Sequence, residues 1–169
     1  MDKFKVAITN SQKDLKIPTG IRLLMRKCCH AVVQSEGFSG NFEVSIKLVS
    51  DEQMCELNHH YRGKAHTTDV LSFPAGDDQA SGNFEVNQET GASMLGDIAI
   101  SVPKAYSQAR QFGHTIQREF AYLTVHAVLH LLGYDHEKSG LESVRMREKE
   151  EAILTRLGLQ RDASFVTYK

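Results

Sequence analysis

Residues 126–136 read HAVLHLLGYDH, so His126, His130 and His136 recur at intervals of four and six within an otherwise apolar run. On a helix, His126 and His130 project from one face with Cβ atoms about 5–6 Å apart. Imidazoles so placed can share one metal ion at about 2.0–2.1 Å each. Gly133 suits the left-handed conformation that stops a helix, and the chain then has three residues in which to return His136 toward the other two. Three nitrogen ligands with one position open describe a catalytic zinc site rather than a closed structural one. An isolated HxxxH pair is more often two hydrogen-bonded histidines. Here the third histidine, the glycine and the apolar setting add to it, because a buried imidazole costs free energy unless something satisfies it. Nickel, copper and iron also accept imidazole. The spacing equals that of the zinc-protease pattern HExxHxxGxxH. Ala127, however, stands where those enzymes carry the glutamate that serves as general base. A metal scaffold is present and the peptidase base is missing.

Elements must hold these residues in place. Residues 4–9 alternate as a strand, and helical spacing predicts a helix from Ile21 to about Gln34. In NFEVSIKLVS, Phe42, Val44, Ile46 and Leu48 share one face of a strand. Ser50 and Gln53 then form a capping box for a helix through Met54, Leu57 and Tyr61. DVLSFP is a third strand, and residues 75–93 form a long acidic loop, read as variable surface, with room for a short strand at FEV. LGDIAISV is a fourth strand ending at Pro103, followed by a short helix over 104–112 that stops at Gly113. The histidine helix spans 115–132 and is apolar nearly all round from Phe120 to Leu132, which marks it as buried. A second capping box, Ser139 to Glu142, opens a last helix reaching about Leu157. The expected fold is α+β: one domain over residues 1–169, with a mixed four-stranded sheet, about five helices, and the metal site on the long buried helix and the turn after it.

Bulk properties narrow the classes. The 169 residues are 41% hydrophobic and 24% charged, with formal net charge −1, so nucleic-acid binding would have to come from local patches. Cys28, Cys29 and Cys55 include an adjacent pair and form no CxxC, which argues against a disulfide framework or a cysteine zinc site and fits a reducing compartment. MDKFKVAITNSQ lacks the apolar core of a signal peptide, and no apolar run approaches the roughly 20 residues that span a membrane. A cytoplasmic protein without membrane association is expected.

Nearly the whole chain resembles the YbeY family of bacterial ribosomal-RNA maturation factors, which are single-strand endoribonucleases. HAVLHLLGYDH, LNHHYRGKAHTTDVLSFP (Leu57 to Pro74) and LGDIAIS (Leu95 to Ser101) carry the resemblance. Family members commonly read GxLHLLGYDH, so Val128 is a mild departure. His66 stands where the family more often has a charged or small residue and is assigned no role. The resemblance implies one zinc ion on His126, His130 and His136, and an important arginine at Arg62. It also implies action on ribosomal RNA, including 3′-end maturation of the small-subunit RNA. A part in ribosome assembly and quality control goes with it, with the small subunit and ribosome-assembly proteins as partners.

Phosphodiester hydrolysis needs a nucleophile and stabilisation of charge on the phosphoryl oxygens. A metal lowers the pKa of bound water to about 7 and acts as a Lewis acid. Arg62, in YRGK, offers a planar, permanently charged fork for the phosphate, with a surface arginine in a turn equally consistent on the residues alone. Asp135 adjoins the third histidine as a base, as a partner orienting an imidazole or as part of the turn; the latter two are favoured. Glu119 suits a structural ion pair. RNA also carries its own 2′-hydroxyl as a nucleophile. Arg22, Arg26 and Lys27 form a candidate phosphate-tracking stripe, with a solvated helix face equally consistent. The mixed charges from Arg145 to Glu151 read as solvation and helix pairing. Two other functions compete: an assembly factor with a mainly structural zinc, and a metallopeptidase-like hydrolase, against which Ala127 weighs.

Overall fold

The computed structural model describes residues 3–64, 66–135 and 140–160. The elements follow in the order β1 (Phe4–Asn10), α1 (Ile21–Ser35), β2 (Phe42–Val49), α2 (Asp51–Arg62), β3 (Val70–Pro74), β4 (Glu85–Val86), β5 (Ser93–Ser101), α3 (Val102–Phe112), α4 (Ile116–Leu131) and α5 (Gly140–Arg156). The sheet is mixed, with order β1-β2-β5-β3: β1, β2 and β5 run parallel, and β3 is antiparallel to β5. The two-residue β4 also pairs with β5, making five strands where four were expected.

The alternation in β2 determines which side of the sheet is packed. Phe42, Val44, Ile46 and Leu48 join a large core with α1, α4 and α5 on one face. On the other face Leu71 and Ala99 meet Val49 and Met54, with Leu57 and Phe73 beside them, so α2 covers that side. Because strand side chains alternate, Leu71 and Phe73 of β3 point to α2 while Val70 and Ser72 point to α4.

Local capping sets where helices begin. The Ser50 hydroxyl accepts from the Gln53 backbone at 3.2 Å and the Gln53 side chain accepts from the Ser50 backbone at 2.9 Å, which is the expected capping box. The box expected at Ser139 lies outside the described residues. Pro103 does not stop the preceding strand; Ser101 caps α3 and the proline sits in the helix's first turn, where a missing N–H costs nothing.

A bulge in β5 sets Leu95 apart from the ladder. Glu43 pairs with Met94 and Val44 with Gly96, leaving Leu95 as the extra residue. The offset turns Leu95 toward the same core as Ile98 and Ile100, despite the odd spacing. Gly96 adopts φ 138°, and a Cβ there would lie 2.2 Å from the Phe73 carbonyl oxygen, so no larger residue lets β3 approach.

Residues 75–93 are not mere surface. A short 3-10 turn, Gln79–Ser81, tucks under the C-terminal end of α4. Gln79 is buried, and its amide donates to the carbonyls of Leu95 and Leu131. The loop thus ties the β5 bulge to the helix that carries the histidines.

Candidate active site

The N-terminal half of α4 is pinned before the histidines begin. Thr115 caps it, accepting from the Arg118 backbone at 3.1 Å. Buried Glu119 accepts from Gln108 at 2.6 Å and pairs with His114 at 2.5 Å, locking α4 to α3 in the structural role expected of it. One turn before His126, Tyr122 places its ring 5.7 Å from the imidazole. Burial, and then the nearby Glu150 carboxylate, push its phenol above the ordinary range, so it stays protonated.

The His126 and His130 rings stand 4.8 Å apart, centroid to centroid, at 76°. The helical spacing therefore brings them together as expected. His136 lies outside the described residues. Buried Glu150 of α5 meets the Nδ1 of His126 in a short contact. A carboxylate there accepts the Nδ1–H, which fixes the tautomer and leaves coordination to Nε2. This carboxylate–histidine pairing characteristically backs a metal-ligating imidazole, so His126 and His130 suit two of the donors of a metal ion such as zinc. Sequence reasoning had placed Glu150 among solvating charges. Its position was a signal: Met146, Glu150, Ile153 and Leu154 form the buried stripe of α5, and Glu150 is the acid within it.

Ala127 is fully buried, with its side chain in the core and its carbonyl accepting from the Ser72 hydroxyl at 3.3 Å. The residue that excludes a peptidase base also lets β3 lie close against α4.

An open cleft of about 570 Å³ lies where α4, β3 and the end of α2 meet. His126, His130, Asp135 and Arg62 all line it, with Thr68, Asp69, Ser72 and Tyr122. Arg62 is the last residue of α2 and exposed rather than a turn residue. Among the described residues no ion pair engages its guanidinium. Arg22, Arg26 and Lys27 are exposed on α1, and none of them lines this cleft.

The turn that follows His130 is braced by residues that sequence reasoning passed over. Gly133 has φ 103°, and a Cβ there would meet the Ala80 Cβ at 2.7 Å, so the 3-10 turn rests directly against it. Tyr134 donates its hydroxyl to Glu36 at 2.5 Å, Lys149 donates to the same carboxylate at 2.8 Å, and the ammonium lies 5.7 Å from the tyrosine ring. One acid at the end of α1 thereby joins the turn to α5. No local pattern announces that triangle, because its corners come from three distant segments.

Comparison with known proteins agrees with this architecture. Residues 7–158 match the family model described as Endoribonuclease YbeY. A protein of that name from Alkaliphilus metalliredigens is 40% identical over 157 residues, covering 93% of this chain and 97% of the relative. One from Chloroflexus aurantiacus is 45% identical over 139 residues, covering 82% and 88%. The solution structure of TM1509 from Thermotoga maritima shares the fold, with a TM-score of 0.57 at 24% identity over 90% of this chain and 91% of that one.

Proposed function

The chain belongs to the endoribonuclease YbeY family and is a hydrolytic endoribonuclease; from that premise we propose that the cleft over α4 is where it cuts RNA, using one zinc ion held by His126, His130 and His136. The proposed substrate is single-stranded ribosomal RNA in the cytoplasm, including the 3′ end of the small-subunit RNA during ribosome assembly and quality control. Among the described residues, no helix is long and apolar enough to cross a membrane.

The buried Glu150–His126 pair carries this reading, because it supplies what a ligating histidine needs and a merely packed one does not. Bound there, zinc supplies Lewis acidity and the means to activate water near neutral pH. The chain's own groups do the rest. Glu150 keeps the proton on Nδ1 of His126 and so orients the ring. Arg62 enters the same cleft from the other face of the sheet and clamps the phosphate, offsetting charge as it builds on the phosphoryl oxygens. Tyr122 keeps its hydroxyl proton and serves as a hydrogen-bond donor on the cleft wall. Asp135 lines the cleft, and its proposed role is to orient His136, its neighbour in sequence. The buried Ala127 argues against peptide hydrolysis.

The test is cleavage of an unstructured RNA by purified protein. His126→Ala and chelator-stripped protein are expected to lose activity, with zinc restoring only the stripped wild type. Arg62→Ala is expected to lower kcat by about 10²-fold or more. A wild-type rate with unchanged affinity in Arg62→Ala would remove that residue from the mechanism. Peptide hydrolysis without RNA cleavage would replace the nuclease reading with the peptidase one.

A further inference from the structure

A second groove, of about 430 Å³, runs between α1, the start of β1 and the end of α5. Arg26, Lys27, His30 and Arg156 line it with Phe4 and Leu157, and among the described residues no acidic one does. Among the described residues, no ion pair involves any of these four basic side chains, whereas Arg118 and Lys149 are each paired with a glutamate. In a chain of net charge −1, a groove whose ionisable lining, among the described residues, is all basic and outside any ion pair is a local departure. It is the kind of patch through which a near-neutral protein holds a polyanion.

The groove also carries an aromatic wall. Phe4 packs on Phe42 with ring centroids 5.9 Å apart, is only partly buried, and lines the groove. Cations that follow a phosphate chain beside an aromatic face on which a base can stack are the recurring elements of single-strand recognition.

Its position on the sheet is informative. The cleft is bordered by β3 and the groove by β1, which are the two ends of the order β1-β2-β5-β3. With strands about 4.8 Å apart, three intervals separate the two sites by at least about 14 Å. An RNA of one or two nucleotides confined to the cleft would not reach both, whereas a longer strand can.

We propose that the Arg26–Lys27–His30–Arg156 groove is a second RNA-binding site, which holds the phosphates of a strand whose cleaved segment lies in the cleft. The proposal rests on RNA being the substrate. It makes affinity depend on RNA length while the chemistry stays in the cleft.

The experiment compares zinc-loaded wild type with a triple variant, Arg26→Gln, Lys27→Gln and Arg156→Gln. A charge-matched control replaces exposed Lys47, Arg110 and Arg147 by glutamine. Binding of oligouridylates of about 2 and about 24 nucleotides is followed by fluorescence anisotropy across a salt series, and cleavage of the short one is timed. Each cation that neutralises a phosphate of a single strand adds roughly 0.7 to the salt slope, so the triple variant should reduce the salt dependence for the long RNA by about 2. Its affinity for the long RNA should fall about tenfold or more, with short-RNA binding and kcat unchanged and the control like wild type. Equal affinity and slope for the long RNA in the triple variant and the control would overturn the proposal. So would an equal loss for both lengths, or displacement of bound RNA by polyglutamate that depends on the three bases, which would indicate an acidic protein partner. Long-RNA binding needs no cleavage, so an inactive wild type would count against the cleft and leave the groove to be judged by binding alone.

Discussion

Glu150 and Ala127 show how much of the site's chemistry depends on single side chains that coordinate nothing. Glu150 keeps the Nδ1 proton of His126, so Glu150→Gln retains shape and a weaker acceptor but loses the charge. It is expected to weaken zinc binding by about 10–100-fold, measured by competition with a chromophoric chelator, with little change in the circular dichroism spectrum. Equal zinc affinity would show that Glu150 serves packing alone. Ala127 sits in the core beneath β3. Restoring the protease pattern with Ala127→Glu would bury a carboxylate without a cation to meet it. A loss of about 3 kcal/mol or more in denaturant unfolding is expected, and no gain of peptidase activity.

Between elements, the turn leaving α4 is the part most dependent on its neighbours. Ala80 presses on it from one side, and the Glu36–Tyr134–Lys149 triangle holds it from another. Burial and the Glu36 bond keep the Tyr134 phenol above its ordinary value, so it remains the donor to that carboxylate. Gly133→Ala combines a left-handed φ of 103° with a Cβ 2.7 Å from that of Ala80. It should cost about 2 kcal/mol in stability and weaken zinc binding, although the replaced residue is not a ligand. Gly140→Ala is the control, because a Cβ there meets nothing within 4 Å. It should leave both quantities close to wild type. A Gly133→Ala protein that binds zinc normally would show that the turn adjusts freely.

At the scale of the whole molecule, α1 seals the main core with two thiols. Cys28 and Cys29 are fully buried, and burial pushes the Cys28 thiol up from 9.0 to about 12, with Cys29 raised further. A thiol whose folded pKa is raised favours folding while it stays protonated. Its contribution is full below the unfolded value of 9.0 and is lost as pH rises toward about 12. Denaturant midpoints should therefore fall from about pH 9 upward, and Cys28→Ala, although less stable at neutral pH through its cavity, should show a shallower alkaline decline. Parallel pH profiles would mean that these thiols do not set the alkaline limit. Over the same pH range the native protein should resist thiol reagents at both positions.

The local pattern was sufficient for whatever depends on neighbours along the chain. Strand alternation in β2, the Ser50 capping box and the four-residue step from His126 to His130 all follow from backbone geometry that repeats within a few residues. Motifs of that range also carried the family resemblance. Pro103 misled because a proline ends a strand and begins a helix equally well, and the choice lay in the Ser101 cap. Other features had no local signature. Arg62 and His126 lie on helices packed against opposite faces of the sheet, and the edge at β3 brings both to one cleft. Glu150 looked like one more surface charge until the packing of α5 on α4 buried it against His126. A side chain's type sets what it can do; its burial and its partner, which come from distant segments, set whether it titrates, coordinates or simply faces water.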